Sequence, residues 1–126
     1  MRDTTLTTSE WYVLDCLWER APQTVMELVV VLGGKVGWAK STTITTLRRM
    51  EDKGLIRAEA QGRGKRYFPC VDRKSSTKAE TRSFLNRVYR GSVGLMVSAM
   101  AQEKDLTREE IDALYEILRK AEEGQR

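Results

Sequence analysis

The side chains best suited to contact a polyanion lie between residues 40 and 66, where hydroxyl groups are followed by basic groups. Near a helix start, Ser and Thr hydroxyls can bond phosphate or base edges, and the helix N-terminus itself favours a phosphate. Arginines one turn further on can contact phosphate or guanine edges. The residues that we predict to contact DNA are Lys40, Ser41, Thr42, Ile44, Thr45, Arg48 and Arg49, followed by Arg63, Lys65 and Arg66 in a glycine-rich stretch.

The basic residues of this segment are not balanced by acidic ones. Between Gly37 and Cys70, eight Lys and Arg residues stand against three acidic residues, a net charge of +5, whereas the whole chain carries +4. A positive zone of this kind attracts a polyanion such as double-stranded DNA. An ordinary solvated surface is the alternative interpretation of the charge alone. The combination of a hydroxyl-rich segment with a basic, glycine-rich one favours DNA.

The composition argues against several other classes of protein. The chain has no His, and its two cysteines, Cys16 and Cys70, lie far apart, so we predict no metal site, no cofactor, and two small core thiols. No Gly-rich phosphate loop or paired acids beside a nucleophile suggest an enzyme. Because no signal-peptide pattern is visible and the longest apolar run, 28–32, is far too short to span a bilayer, we expect a cytoplasmic protein without membrane insertion.

Three segments begin with a capping box, in which a Thr is followed three residues later by Glu. They start at Thr7, Thr24 and Thr107, each before an apolar-periodic run, and so predict three helix starts. We predict helices over 8–20, 25–32 (ended by Gly33-Gly34), 40–53 and 108–122. In the third predicted helix, Leu47 and Met50 form an apolar face with Thr43 and Thr46 behind them, and Gly54 suits a left-handed cap.

A β-hairpin is predicted after the third helix. Residues 55–60 and 65–71 favour strands, and the Gly-containing residues 61–64 favour the turn between them. Three helices followed by a hairpin are the order of a winged helix-turn-helix, in which the third helix enters the major groove and the hairpin contacts the backbone or minor groove. We therefore predict a winged-helix DNA-binding domain over residues 1–72.

The rest of the chain, 73–126, is predicted to be a helical dimerisation domain after a polar junction at 72–77, with a break or bend near Gly91 and Gly94. It is too short to build its own core, and two copies could bury each other's apolar faces. The alternative is that these helices fold back on the winged domain of their own chain. The overall prediction is a mainly α fold with a C-terminal dimerisation arm, whose candidate interface residues are Phe84, Val88, Leu95, Met96, Met100, Ile111, Leu114 and Leu118.

An ordered set of motifs over residues 6–118 resembles the penicillinase repressor family, which includes the BlaI, MecI and CopY repressors. The first motif is Leu6-Thr7-x-Ser9-Glu10-Trp11-x-Val13-Leu14-x-x-Leu17-Trp18. It is continued by Thr24-Val25-x-Glu27-Leu28, Trp38-x-Lys40-Ser41-Thr42-Thr43, Leu47-x-Arg49-Met50-x-x-Lys53-Gly54 and Phe84-Leu85-Asn86-x-x-Tyr89-x-Gly91.

The resemblance implies a homodimer that binds an inverted-repeat operator, of a resistance or stress operon, and blocks transcription. In relatives acting in β-lactam resistance, release follows proteolysis in the C-terminal arm, triggered by a membrane-bound sensor protease. The matching bond here joins Ala99 to Met100, where those relatives have Asn-Phe. The copper-responsive members end in a cysteine cluster that residues 122–126 do not contain.

Two other functions remain open at the level of sequence. A winged helix can serve only as a scaffold for protein interaction, because a fold does not determine a function. DNA binding can also be controlled by a small molecule held between the arm and the winged domain.

Overall fold

The computed structural model describes residues 6–125 and contains six α-helices and three β-strands in that part of the chain. The chain divides into two compact units, one ending at Ser83 and one beginning at Phe84. In chain order the elements are α1 (Thr8–Glu19), β1 (Gln23–Thr24), α2 (Val25–Val36), α3 (Lys40–Lys53), β2 (Ile56–Gln61), β3 (Gly64–Pro69), α4 (Arg73–Tyr89), α5 (Val93–Gln102) and α6 (Arg108–Gly124).

The first unit, which we call the winged unit, is built around one hydrophobic core. Helices α1, α2 and α3 each contribute side chains that are at most 1% exposed, including Leu14, Leu28, Leu47 and Met50, and β2 adds Ile56. These residues recur at helical spacing on one face of each helix, so burying them fixes the mutual packing of the three helices. The core therefore holds α3 in place from behind.

All three predicted capping boxes are confirmed. The hydroxyls of Thr7, Thr24 and Thr107 each accept a hydrogen bond from the backbone N–H three residues later, at 3.1–3.2 Å. In each case the Glu side chain at that position accepts from the backbone N–H of the Thr in return. Each box satisfies two N–H groups that have no partner inside the helix.

The predicted end of the second helix is wrong. Helix α2 continues through Gly33 and Gly34 to Val36, and Gly37, with a φ of 72°, forms its left-handed cap. Glycine lowers helix propensity but adopts helical angles freely, and packing of Val36 against the core keeps the last turn helical. The predicted Gly54 cap of α3 is confirmed, with a φ of 80°.

The predicted hairpin is present as β2 and β3, and a third strand that we did not predict completes the sheet. The strand order is β1-β3-β2, with both pairs antiparallel. Strand β1 has only two residues, too few to show a periodic pattern. Its Gln23 is buried and donates from Nε2 to the carbonyl oxygens of Cys16 and Arg20, at 2.9 and 2.8 Å.

The predicted polar junction at 72–77 is also wrong, because residues 73–77 form the first turns of α4. The carboxylate of Asp72 accepts from the backbone N–H of Ser75 at 3.1 Å, which caps the helix and lowers the pKa of Asp72. Arg73 then forms an ion pair of 3.0 Å with Asp15 and lies over the ring of Trp18. The boundary between the two compact units falls inside α4, between Ser83 and Phe84. The domain boundary that we predict from the sequence lies between residues 72 and 73 and stays a prediction.

The second unit, which we call the arm, contains the end of α4 together with α5 and α6. Helix α4 ends at Tyr89, and Gly91, two residues later, adopts a φ of 83°. The predicted break therefore lies at Gly91, whereas Gly94 lies inside α5. None of the helices in the described part of the chain is long and apolar enough to cross a membrane.

Candidate nucleic-acid interface

Helix α3 has one face in the core and one face open to solvent. Thr43, Thr46, Leu47 and Met50 are buried, which confirms the predicted inner face. Ile44 is half-buried, so it is the one predicted contact residue on α3 that is not fully exposed. The exposed face carries six of the predicted contact residues, namely Lys40, Ser41, Thr42, Thr45, Arg48 and Arg49.

The N-terminus of α3 differs from those of α1, α2 and α6. Its N-cap residue is Ala39, which supplies no side-chain hydrogen bond, whereas the other three helices start with a complete capping box. The N–H groups of the first turn are therefore left without a side-chain acceptor, and such groups favour an anion at the positive end of the helix dipole. Lys40, Ser41 and Thr42 surround that end of the helix.

The cations of the exposed face have no acidic partners within residues 6–125. Lys40, Arg48 and Arg49 form no ion pair there, although Glu51 and Asp52 are close in sequence to Arg49. A surface cation without an internal acid is free to pair with a phosphate and to release counterions when it does so.

The opposite end of α3 is tied to α1 by an ion pair that sequence analysis missed. Lys53 Nζ lies 2.5 Å from Oε2 of Glu10, whose side chain is only 1% exposed. Burial raises the pKa of Glu10, but hydrogen bonds from Lys53 and Thr7 outweigh it and hold this pKa below its ordinary value. We assigned Glu10 only a capping role, because nothing local signals a partner 43 residues away.

The tip of the hairpin presents two of the three predicted wing cations. Gln61 pairs with Gly64, so Gly62 and Arg63 form the loop, and Gly62 adopts a φ of 58° there. Arg63 and Lys65 are exposed. Neither forms an ion pair within the part of the chain that the structure describes, and their positions at the tip suit contacts to phosphates.

Arg66, the third predicted wing cation, is engaged inside the sheet. It is half-buried, and its Nη2 lies 3.4 Å from Oε1 of Glu59 on the neighbouring strand. Its guanidinium also lies over the ring of Phe68, at 5.6 Å from the centroid. Arg57 approaches the same two residues, through an ion pair with Glu59 and a distance of 4.2 Å to the Phe68 centroid. We call Arg57, Glu59, Arg66 and Phe68 the outer wing cluster.

Helix α3 and the wing belong to the same unit, and Tyr67 of β3 lies in the core to which α3 contributes Leu47 and Met50. Tyr67 is buried, and burial is the main cause that raises the pKa of its hydroxyl. The charge of Glu51 raises this pKa further, and the charge of Arg48 opposes both effects. Side chains of α3 therefore lie within electrostatic reach of the return strand of the hairpin.

The described residues show no group of three or more His, Cys, Asp or Glu side chains that could hold a metal ion. Cys16 is buried, as predicted, and burial raises the pKa of its thiol. The expectation that Cys70 is a core residue is wrong, because its side chain is exposed. Its backbone N–H donates to the carbonyl oxygen of Leu55 at 2.8 Å, which extends the pairing of β2 and β3 while the thiol points outward.

The arm exposes most of the residues that we predicted at a dimer interface. Neither α5 nor α6 has a buried residue. Phe84, Val88, Leu95, Met100 and Leu118 are 39–62% exposed, and Met96, Ile111 and Leu114 are half-buried. Three further apolar side chains outside our predicted set, Val93, Tyr115 and Ile117, are 55–70% exposed.

Comparison with known proteins places these features among repressors. A family model described as penicillinase repressor matches residues 6–120. The penicillinase repressor of Bacillus licheniformis is 31% identical over 110 residues, which cover 87% of this chain and 86% of that protein. The methicillin resistance regulatory protein MecI of Staphylococcus aureus strain N315 is 24% identical over 115 residues, covering 91% of this chain and 94% of that protein.

The fold has a counterpart among solved structures. The solution structure of the DNA-binding domain of the repressor BlaI matches with a TM-score of 0.52 at 24% identity, covering 57% of this chain and 88% of that one. This likeness confirms the predicted winged-helix fold class.

Proposed function

The chain belongs to the penicillinase repressor family, a family of transcriptional repressors and not of enzymes, and we propose that it represses transcription as a homodimer bound to an inverted-repeat operator. In this proposal α3 enters the major groove, with Ser41, Thr42 and Thr45 toward base edges and phosphates. Lys40, Arg48 and Arg49 contribute positive charge, and the wing contacts the backbone through Arg63, Lys65 and Arg66.

The observation that carries the proposal is the solvent face of α3. A helix that is locked into the core on one side exposes hydroxyls, unpaired cations and an N-terminus without a side-chain cap on the other. Such a face is stable without a ligand because the inner side supplies the packing. It matches the requirements of a duplex groove, which offers phosphate oxygens at its rim and donors and acceptors at its floor.

The exposed apolar side chains of the arm support the dimer. Helix α6 places Ile111, Leu114 and Leu118 at a spacing that forms one stripe, and the neighbouring Tyr115 is 70% exposed. Large contiguous apolar surfaces on a folded protein mark interaction sites. A symmetric pair of arms would cover these stripes and hold two α3 helices about one turn of DNA, roughly 34 Å, apart.

The release step is proposed by analogy with the relatives that act in resistance. A membrane-bound sensor protease would lead to cleavage between Ala99 and Met100, inside α5, and the protein itself would act in the cytoplasm, where its operator lies. Because proteases bind extended segments, α5 has to unwind locally before this bond can be cut. Val93, Leu95 and Met100 of α5 are 39–55% exposed. A partner arm that covers these side chains would therefore oppose the unwinding of α5.

The central test compares variants on the α3 face with matched controls in the same unit. A duplex selected by the wild-type protein from a random-sequence library serves as the operator probe. Removing a hydrogen bond or an ion pair to a base or phosphate is expected to lower affinity by about 1–3 kcal/mol, or five- to more than one-hundred-fold. We expect this loss for Thr42→Ala and Arg48→Ala, and changes below about twofold for the exposed controls Thr77→Ala and Arg82→Ala on α4.

Equal affinities of all four variants and the wild type would remove α3 from the interface. Preferential capture of a protein partner, with no duplex bound at moderate salt, would instead favour the protein-interaction module.

A further inference from the structure

The outer wing cluster places an acidic side chain between two of the wing's cations. Along β2, Ile56 is buried in the core, whereas Arg57 and Glu59 point to the opposite face of the sheet by strand alternation. Glu59 lies directly across from Arg66, and Arg57 lies directly across from Phe68. The ion pairs Glu59–Arg57 and Glu59–Arg66 therefore share one carboxylate on the outer face of the hairpin.

The three charged side chains of this cluster are still within reach of solvent, with exposed side-chain fractions of 53% for Arg57, 42% for Glu59 and 38% for Arg66. Hydrogen bonding by Arg57, followed by weaker contributions of charge and of Arg66, keeps the pKa of Glu59 below its ordinary value, so the carboxylate is ionised at neutral pH. Exposed ion pairs are weak, so a competing anion can displace this carboxylate.

Arg66 is only partly satisfied by its internal partner. The contact from its Nη2 to Glu59 is long, at 3.4 Å, and its Nε is buried without a hydrogen-bond acceptor within residues 6–125. Arg63 and Lys65, by contrast, carry no internal acid in that range. The wing thus contains two kinds of cation. Arg63 and Lys65 at the tip can bind a phosphate without first breaking an ion pair, whereas Arg57 and Arg66 on the outer face both pair with Glu59.

On the basis of the proposed DNA binding, we propose that Glu59 limits the affinity of the wing for DNA by competing with DNA phosphates for Arg57 and Arg66. By neutralising these arginines, Glu59 weakens the contacts of the wing to phosphates, while contacts of α3 to bases are unaffected. Because the wing contacts backbone phosphates in any duplex, affinity for the operator and for a random duplex should be lowered alike.

The test measures binding to a random-sequence duplex and to the selected operator as a function of salt, for the full-length wild type and Glu59→Gln. Each additional phosphate that the protein neutralises makes the slope of log affinity against log salt steeper by about 0.9. We expect Glu59→Gln to bind the random duplex at least about threefold more tightly than the wild type at low salt. Between about 50 and 200 mM salt, the ratio of the variant's affinity to that of the wild type should fall about threefold for each additional phosphate neutralised. Operator affinity should rise by a similar factor, because the wing contacts backbone phosphates in both complexes.

Glu19→Gln is the matched control, because Glu19 is also exposed and pairs with one cation, Lys35 at 3.3 Å, on other elements of the same unit. It removes the same charge and should leave the salt slope unchanged. Glu59→Thr, which suits a strand, should reproduce the tighter binding and guards against a folding defect peculiar to one substitution. Equally tighter binding by Glu19→Gln and Glu59→Gln would overturn the proposal, since it would show a general charge effect.

The arginines provide the second arm of the test. In a background carrying Arg57→Gln and Arg66→Gln, adding Glu59→Gln should no longer steepen the salt slope. A full increase in affinity in that background would overturn the competition, because Glu59 would then act by direct repulsion of DNA. Failure of the wild type to bind either duplex at low salt would remove the proposed function and this inference with it, whereas wild-type binding that Glu59→Gln leaves unchanged would remove the inference alone.

Discussion

The winged unit and the arm place their apolar side chains in opposite ways. In the described residues, every buried hydrophobic side chain lies between Leu6 and Tyr67, whereas Phe84, Leu95, Tyr115 and Leu118 in the arm are 40–70% exposed. The first unit has a closed core and can hold its recognition surface in place by itself. The second has amphipathic helices whose apolar faces are not covered within the unit. We therefore expect the winged unit to be stable on its own contacts and the arm to depend on what covers it.

The largest expected effect comes from truncating a side chain in the closed core. Leu47→Ala should lower the free energy of unfolding of the winged unit by about 2–5 kcal/mol, because Leu47 is 1% exposed and its removal leaves a cavity behind α3. Denaturant unfolding followed by tryptophan fluorescence measures this selectively, since all three Trp residues, Trp11, Trp18 and Trp38, lie in that unit.

Leu118→Ala is the matched truncation in the arm, where Leu118 is 62% exposed. It should leave the fluorescence transition unchanged and instead weaken self-association, as measured by sedimentation at several protein concentrations. If Leu118→Ala destabilised the winged unit as much as Leu47→Ala, the distinction between a closed core and an uncovered arm would be lost.

A second expectation concerns the ion pair that ties α3 to α1. Lys53→Gln should destabilise the winged unit by about 1–3 kcal/mol, because it leaves the Glu10 carboxylate buried without its cation. The expected loss is smaller than for a fully buried ion pair, because the side chain of Lys53 is half exposed. Lys35→Gln, which breaks the exposed pair with Glu19, should leave the stability close to that of the wild type.

The sign of the pH dependence follows from the lowered pKa of Glu10. A carboxylate whose pKa is lower in the folded than in the unfolded state contributes stability above its unfolded pKa of 4.5, and this is lost as pH falls through the folded pKa. Unfolding of the wild type and Lys53→Gln should therefore differ most near neutral pH and converge in acid. A difference that is constant with pH would show that the charge of Glu10 is not involved.

The smallest effect compares the capping boxes of the two units. Thr24→Ala and Thr107→Ala each remove one hydroxyl acceptor, and each should cost about 1 kcal/mol in its own helix. Only Thr24→Ala should shift the tryptophan transition, whereas Thr107→Ala should lower the helical content of the arm seen by circular dichroism. A shift of the tryptophan transition by Thr107→Ala would show that the two units unfold together.

The sequence by itself determined those features whose partners are close along the chain. The capping boxes at Thr7, Thr24 and Thr107 and the left-handed cap at Gly54 depend on hydrogen bonds or backbone angles within a few residues, so their patterns predict them directly. The exposed face of α3 followed from helical spacing in the same way. The hairpin needed only two short runs around a glycine-containing turn.

Only the tertiary structure decided the features that depend on distant partners. Core packing carried α2 through Gly33 and Gly34. The pair of Glu10 with Lys53 joins residues 43 positions apart and arises when α1 and α3 meet. Local patterns report propensity and spacing, whereas these contacts depend on which side chains the folded chain brings within a few ångströms.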